Sequence, residues 1–286
     1  MIGKTGSTRA CCLVIAAMLM LTMSALPSWG TEIPVTLTDQ NSVIQVYSLT
    51  DVGIGLWTVD GVSQLNRQSF FFRVGNATPS NPEQSLDTLT RTVSNPFDGN
   101  GDGNYDYLSQ KFVQSGQFSV ALTYNLTGGG SGSSDLGTSI KIVNTSTQSL
   151  SFHFFQLSDF DLGGSGAQDT ALAGKNLSGL YNEVLQQNGN WSVDTVISPG
   201  TSQAQVDFHP NVSNLLTNSQ GDDLNGAAGP VGPGNVEWGL EWSVTLAPNA
   251  NLTISEDQNF QEQTPEPASL TLLAAGALAL LRKRRK

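Results

Sequence analysis

Residues 236–246 alternate apolar and polar side chains with a period of two. The apolar positions are Val236, Trp238, Leu240, Trp242, Val244 and Leu246, and the positions between them are Glu237, Gly239, Glu241, Ser243 and Thr245. Successive side chains of a β-strand point to opposite faces of its sheet, so this pattern predicts a strand with one face in a core and the other in water. A chain built on such strands needs a second layer to cover the apolar face.

The same periodicity recurs along most of the chain. It is clearest at Phe118, Val120, Leu122, Tyr124 and Leu126, and it appears in shorter form at Ala204, Val206 and Phe208. Further candidate strands cover residues 43–49, 54–59, 69–74, 140–143, 150–157, 191–197 and 252–255. Roughly ten strands joined by turn-rich connections predict an all-β fold, an antiparallel β-sandwich of which a jelly roll is one form.

Helical periodicity is weak in the central part of the chain. Residues 177–187 are the one modest helix candidate, and they are equally compatible with a loop. Residues 226–234 are rich in glycine and contain Pro230 and Pro233, which favours either a hinge between two subdomains or one long sandwich loop. Residues 258–264 are polar and are predicted to form a linker.

The N-terminal residues have the order of a secretory signal peptide. Lys4 and Arg9 precede an apolar stretch over residues 10–26, and Ser28 and Gly30 supply small residues before a signal peptidase cut. We therefore predict a signal helix within residues 1–30. The two cysteines of the chain, Cys11 and Cys12, lie inside this segment. The mature protein is then expected to use no disulfide, thiol or cysteine-bound zinc.

The C-terminal residues combine three features in a fixed order. Pro265, Glu266 and Pro267 come first, an apolar run covers residues 268–281, and the chain ends in the cations Arg282, Lys283, Arg284, Arg285 and Lys286. This order resembles the PEP-CTERM sorting signal of exported bacterial proteins, which is also labelled an ice-binding-protein C-terminal domain. The resemblance covers residues 265–286 and implies processing by an exosortase-type membrane protease. It leaves the central domain without an assigned function.

The apolar run of the sorting signal is short for a permanent anchor. Residues 268–281 span about 21 Å as a helix, against a hydrocarbon core of about 30 Å. The five terminal cations are expected to stay on the cytoplasmic side, which places Pro265, Glu266 and Pro267 outside the inner membrane. We therefore predict transient inner-membrane insertion, a cut near this tripeptide, and a mature protein at the cell surface or in the extracellular matrix.

Charge narrows the set of partners. Residues 31–264 contain six cations against 23 acidic residues, a formal charge of −17. Such a surface argues against nucleic acid and anionic membranes as ligands. It is compatible with cations and with neutral extracellular polysaccharide.

Residues 98–106 form the sharpest internal motif. Oxygen-bearing side chains recur at alternate positions, namely Asp98, Asn100, Asp102, Asn104 and Asp106, and Gly103 follows the third of them. This spacing resembles the first half of an EF-hand or dockerin calcium loop, and it predicts a structural Ca²⁺ site. The twelfth loop position is Ser109 instead of a carboxylate, so an Asx-turn loop bound to its own backbone is the alternative.

Catalytic motifs are scarce. His153 lies in a predicted strand, where a structural hydrogen bond is the simpler explanation, and His209 precedes Pro210 at a strand end. The sequence contains no nucleophile elbow, metalloprotease helix or phosphate-binding loop. A carboxylate pair for glycoside hydrolysis stays open, because spacing in sequence does not reveal spacing in the fold. Exposed Trp57 and Trp191 would instead indicate a carbohydrate-binding module.

These observations predict four segments: a signal peptide over residues 1–30, a β-sandwich domain over 31–257, a linker over 258–264 and the sorting signal over 265–286. The expected function is that of a non-enzymatic cell-surface or exopolysaccharide-matrix protein, with Ca²⁺ as its candidate cofactor. A secreted carbohydrate-binding module or glycoside hydrolase is the alternative.

Overall fold

The computed structural model describes residues 32–263. The predicted signal peptide and the sorting signal, including Pro265, Glu266 and Pro267, lie outside the described residues. Within residues 32–263, no helix is long and apolar enough to cross a membrane.

The described residues are dominated by β-strands. The first strands are β1 (Val35–Asp39), β2 (Ser42–Tyr47), β3 (Gly53–Val59), β4 (Val62–Val74), β5 (Gln84–Ser85), β6 (Thr90–Val93), β7 (Tyr107–Gln114), β8 (Phe118–Gly128) and β9 (Ser133–Asn144). They are followed by β10 (Leu150–Phe160), β11 (Asp169–Lys175), β12 (Tyr181–Gln187), β13 (Trp191–Thr201) and β14 (Gln203–Phe208). A short helix α1 (Asn211–Thr217) then leads to β15 (Val231–Gly234), β16 (Val236–Leu246) and β17 (Asn251–Glu262). Three single-turn 3₁₀ helices cover Leu86–Thr88, Leu162–Gly164 and Gly166–Gln168.

The strands form two antiparallel sheets. The first has the order β1-β2-β3-β4-β10-β16-β14, with β5 added beside β4. The second has the order β15-β11-β12-β13-β17-β9-β8-β7-β6. Both sheets belong to the same compact unit of the chain. The predicted antiparallel sandwich is confirmed.

The main core lies between the two sheets, and aromatic side chains fill much of it. Phe118 of the second sheet packs edge-on against Phe152 of the first with ring centroids 4.8 Å apart, and Trp57 contacts Phe260 at 4.6 Å. The predicted inner face of β16 is confirmed, because Trp238, Leu240 and Trp242 are all buried in this core. Period-two alternation therefore identifies the inner face correctly.

The outer face of the first sheet departs from the sequence prediction. Glu237 and Glu241 of β16 were expected to face water, yet they are 0% and 1% exposed. The reason is a cover formed by α1 and the segment after it. A second, smaller apolar cluster lies beneath this cover and comprises Phe71, Phe155, Leu157, Val212, Leu216 and Leu224.

The strands correct two local predictions, the helix candidate and the linker, and they decide against the hinge alternative for the glycine-rich segment. Residues 181–187 of the helix candidate form β12, whose residues are paired with β11 and β13. The glycine-rich segment contains β15 and does not divide the described residues into two units. The predicted linker is shorter, because β17 continues to Glu262 with Gln258 and Phe260 buried in the sandwich.

Candidate functional site

Three side chains meet at one end of the covered outer face, and we call them the histidine cluster: Asp159, His209 and Glu237. Asp159 comes from β10, Glu237 from β16, and His209 follows directly after β14. Nδ1 of His209 lies 3.0 Å from Glu237 Oε2 and 3.2 Å from Asp159 Oδ2. The pairing of β10, β16 and β14 side by side brings these distant residues together.

The cluster places two buried carboxylates behind a partly exposed imidazole. The side chains of Asp159 and Glu237 are fully buried, whereas that of His209 is 32% exposed. Burial raises the pKa of Asp159 to about 6, and a hydrogen bond from Asn66 Nδ2 at 2.7 Å acts in the opposite direction. The hydrogen bond that the described residues show at the His209 ring joins Nδ1 to Glu237 Oε2. Nε2 makes no hydrogen bond with the described residues.

His209 lines a surface cleft of about 380 Å³, which we call the first cleft. This volume lies within the range of about 300–1,000 Å³ that small-molecule sites occupy. Its other lining residues combine an aromatic ring with hydrogen-bond donors and acceptors: Tyr47, Thr50, Asp51, Ile54, Gly55, Asn66, Arg67 and Ser69. Asn66 thus lies in the cleft and also contacts Asp159. Such a lining suits a ligand that is rich in hydroxyl groups.

A second group, the arginine cluster, lies at the other end of the outer face and comprises Arg73, Glu83, His153, Asp223 and Glu241. Its His153 and the Asp159 of the histidine cluster are six residues apart on β10, about 20 Å along the strand. The fully buried Arg73 pairs with Glu83 and Asp223 and also donates to the Asp222 carbonyl.

His153 and Glu241 complete the arginine cluster. Nδ1 of His153 lies 2.9 Å from Glu241 Oε1, and the other oxygen of Glu241 accepts the backbone N–H of Leu224 at 2.9 Å. These bonds tie residues 222–224 to the sheet. The arrangement supports the structural explanation predicted for His153.

Each cluster contains three residues of the types that bind metals. Within each set of three, the possible ligand atoms lie within 4.8 Å of one another; the sets are His153, Asp223 and Glu241, and Asp159, His209 and Glu237. In the arginine cluster, Arg73 Nη2 lies 3.1 Å from His153 Nδ1 and already supplies the positive charge. In the histidine cluster, Nδ1 of His209 already contacts both carboxylates, at 3.0 Å from Glu237 and 3.2 Å from Asp159.

The predicted calcium residues surround a turn on the surface. Asp98 accepts the backbone N–H groups of Gly101 and Gly103 at 2.6 and 2.8 Å, and Asp102 accepts that of Asn104 at 2.8 Å. Asn100 donates to Asp39 at 3.1 Å, and Asp106 accepts the N–H of Gly99 at 2.7 Å. The Ca²⁺ site stays a prediction, and the backbone-bound turn is the arrangement that these bonds describe.

The four tryptophans within residues 32–263 are buried and form no surface platform. Trp57 is 0% exposed and its Nε1–H donates to Ser134 Oγ at 3.0 Å, while Trp191 is 8% exposed. A carbohydrate-binding module based on exposed Trp57 and Trp191 is therefore not supported. The pairing of His209 with Asp159 and Glu237 was not predicted from the sequence. The available signal was the run of residues 152–157, where Phe155 and Leu157 break the alternation and indicate a strand buried on both faces.

The antiparallel two-sheet sandwich is similar to the folds of several solved structures. A putative aldose 1-epimerase from Escherichia coli K12 matches it with a TM-score of 0.51 and 11% identity over 81% of this chain and 99% of that chain. An aldose epimerase homologue from C. elegans matches with a TM-score of 0.55 and 8% identity, over 82% of this chain and all of that one. A bacterial glucoamylase in complex with acarbose matches with a TM-score of 0.51 and 11% identity, over 86% of this chain and 36% of the glucoamylase.

The sequence itself matches the PEP-CTERM protein-sorting motif over residues 263–286. This confirms the predicted sorting signal and marks the chain for export to the surface or the extracellular space. No curated protein matches the chain by sequence.

The prediction that the chain is not an enzyme is wrong, because its fold matches structures described as a putative aldose 1-epimerase and an aldose epimerase homologue. The prediction relied on the small number of imidazole bases. The structure shows that both histidines lie beside buried carboxylates.

Proposed function

We propose that this protein is an exported carbohydrate-active enzyme that binds an aldose in the first cleft and moves a proton through His209. The observation that carries the proposal is His209, which is held at Nδ1 by Asp159 and Glu237 and lines an open polar cleft. The similarity of the fold to an aldose 1-epimerase and an aldose epimerase homologue supports the choice of substrate class.

The chemistry suited to this geometry is the interconversion of sugar anomers. Nε2 of His209 takes the proton of the anomeric hydroxyl, the bond between C1 and the ring oxygen breaks, and the imidazolium returns the proton to the ring oxygen. Closure on the opposite face of the carbonyl gives the other anomer with no net change in protons. Asp159 and Glu237 stabilise the imidazolium that forms in between, as carboxylates beside a general base do.

Hydrolysis fits the same residues less well. Glycosidases use two carboxyl groups that reach the sugar, separated by about 5–5.5 Å or about 6.5–9.5 Å according to mechanism. Here the ligand oxygens of Asp159 and Glu237 lie within 4.8 Å of each other, and neither side chain is exposed. The imidazole is the group that can touch a ligand.

A comparison of the two histidines tests the proposal. The exported protein is mixed with freshly dissolved α-galactose or α-glucose, and the approach to anomeric equilibrium is followed by polarimetry. His209→Ala is expected to lower the catalysed rate by about a hundredfold or more, which is the usual contribution of a general base. The matched variant His153→Gln should keep the rate. Loss of activity in His153→Gln alone, or no catalysis by the wild type, would refute the assignment.

The pH profile should identify Asp159 as the partner of His209. Its pKa is raised to about 6 by burial, so its negative charge is lost as pH falls through that value and the rate should fall with it. Asn66→Ala removes a hydrogen bond that lowers the pKa of Asp159. The acid limb of the profile should therefore move to higher pH in this variant. If the acid limb of the pH–rate profile does not move in Asn66→Ala, the charge of Asp159 does not control the rate.

We also propose that the enzyme reaches its place of action by processing at both ends. Mass spectrometry of the protein recovered outside the cell should show a start near Thr31 and loss of the residues beyond about Pro267. A retained basic tail, from Arg282 to Lys286, would contradict cleavage at the sorting motif.

A further inference from the structure

A second cleft of about 450 Å³ lies at the end of the sandwich where the β1–β2 turn meets the loop before β7. Its lining residues are Asp39, Phe97, Gly99, Asn100, Asp106, Tyr107, Asn125, Leu126 and Thr127. Tyr47, which lines the first cleft, is at the opposite end of β2 from this turn, about 17 Å away along the strand. The two clefts are therefore separate.

An exposed aromatic ring forms one wall of the second cleft. Phe97 is 49% exposed, and its ring packs against Tyr107 with centroids 4.3 Å apart. The backbone of Phe97 is also fixed, because its N–H donates to the Tyr107 carbonyl at 3.1 Å and its carbonyl accepts from Asp106 and Tyr107. A large apolar ring held rigidly at the surface provides a face for a ligand at little cost in conformational entropy.

A buried carboxylate lies beside this ring. Asp106 is 2% exposed and lines the cleft. Its Oδ1 accepts the N–H of Gly99 at 2.7 Å. Its Oδ2 accepts no hydrogen bond from the described residues and is not sealed from the cleft, so a hydroxyl donor of a ligand can reach it. Asn125 on β8 adds an amide with no side-chain hydrogen bond among the described residues, and Thr127 adds a hydroxyl.

We propose that the second cleft binds a neutral sugar unit of a glycan, in addition to the sugar that reacts in the first cleft. The apolar face of a pyranose fits the ring of Phe97, and its hydroxyl groups supply donors to Asp106 and pair with Asn125. The acidic side chains of Asp39, Asp98 and Asp102 nearby disfavour an anionic sugar. The choice of a saccharide rests on the proposed function, whereas the position of the site rests on the cleft itself.

The test is direct binding of polysaccharides to the exported protein. Soluble dextran and galactan serve as neutral probes and polygalacturonate as the anionic one, each titrated by calorimetry with a chelator present so that calcium does not contribute. A neutral polysaccharide is expected to bind and polygalacturonate is not. Phe97→Ala should weaken binding about tenfold and Asn125→Ala about threefold. Both residues are exposed, so the variants should fold.

Two controls make the outcome decisive. Tyr105→Ala removes a neighbouring aromatic ring that is 57% exposed but does not line the cleft, and it should bind as the wild type does. His209→Ala should keep polysaccharide binding while it loses turnover of free aldoses. The second site is refuted if no neutral polysaccharide binds, or if Phe97→Ala and Asn125→Ala bind it with the affinity of the wild type. Turnover of free aldoses in that case would leave the proposed function intact. Binding with no turnover would instead support the second site and refute the proposed reaction.

Discussion

The turn at residues 98–106 and the histidine cluster both gather acidic side chains, and they do so in opposite ways. In the turn, neighbours in sequence bind one another's backbone, as Asp102 does with Asn104. In the histidine cluster, Asp159 and Glu237 are 78 positions apart and meet because β10 and β16 are paired. The first group is conspicuous in the sequence, and the second cannot be seen there.

The pKa shifts of the acidic side chains have opposite signs in the turn and in the histidine cluster. The pKa of Asp102 is lowered, chiefly by the backbone hydrogen bond from Asn104, because that bond stabilises the charged form. The pKa of Asp159 is raised, chiefly by burial, because the charged form loses its hydration. A carboxylate that accepts hydrogen bonds from the neighbouring backbone is thus stabilised as an anion. A carboxylate that the pairing of strands buries is destabilised as an anion, and such perturbed groups are common at functional sites.

The largest expected effect comes from removing Glu237. This carboxylate accepts the Ser213 backbone N–H at 2.7 Å and contacts His209, so it holds both α1 and the imidazole. Glu237→Ala leaves the buried N–H of Ser213 and the partly exposed ring of His209 without this partner and should lower the free energy of unfolding by about 3 kcal/mol. Urea denaturation measures this change.

The matched variant for this comparison is Asp98→Ala in the turn. Its side chain is partly exposed, and the backbone groups that it leaves can bind water. The cost should stay within about 1 kcal/mol. Equal costs for the two variants would contradict the distinction between local and sheet-assembled acids.

The next effect concerns the pH dependence of stability. Burial raises the pKa of Glu256 to about 7 and that of Asp169 to about 6. A carboxyl group with a raised pKa binds its proton more tightly when folded, so stability should increase as pH falls from 8 to 5. For Glu256 alone, the gain is about 2–3 kcal/mol, since one pKa unit corresponds to about 1.4 kcal/mol.

Glu256→Gln sharpens this test. The side chain lies between the sheets, where Oε1 accepts from Gln156 Nε2 at 2.5 Å, and an amide keeps that acceptor without the charge. The variant should melt at a higher temperature than the wild type at pH 8 and at a similar temperature at pH 5. If the difference between the two proteins does not change with pH, Glu256 does not carry the predicted charge penalty.

The smallest effect is expected at the turn. Binding of Ca²⁺ to the native state would raise the melting temperature by mass action, and Asp102→Ala should abolish the rise. The side chains already bind the backbone, so their rearrangement opposes binding and we expect a shift of a few degrees at millimolar Ca²⁺. If the melting temperature is the same with Ca²⁺ and with a chelator, residues 98–106 form an Asx turn that binds no calcium.

The inner face of the sandwich could be predicted, because apolar side chains at every second position have one physical meaning in a strand. Burial of the outer face could be predicted only at β10, where Phe155 and Leu157 break the alternation, since the cover itself comes from elsewhere in the chain. That cover includes α1, whose seven residues are too few to show helical periodicity and which has no side-chain cap. Its existence depends on Val212 and Leu216 packing against Phe155, a contact that only the fold creates.

The position of β17 has a mechanical consequence. This strand lies between β13 and β9, is paired with both over nearly its whole length, and ends at Glu262, next to the sorting motif that begins at residue 263. A pulling force applied at that end runs along the strand. It must shear two rows of hydrogen bonds together and cannot peel them apart one by one from an edge. The domain should therefore resist unfolding when force is applied at this end.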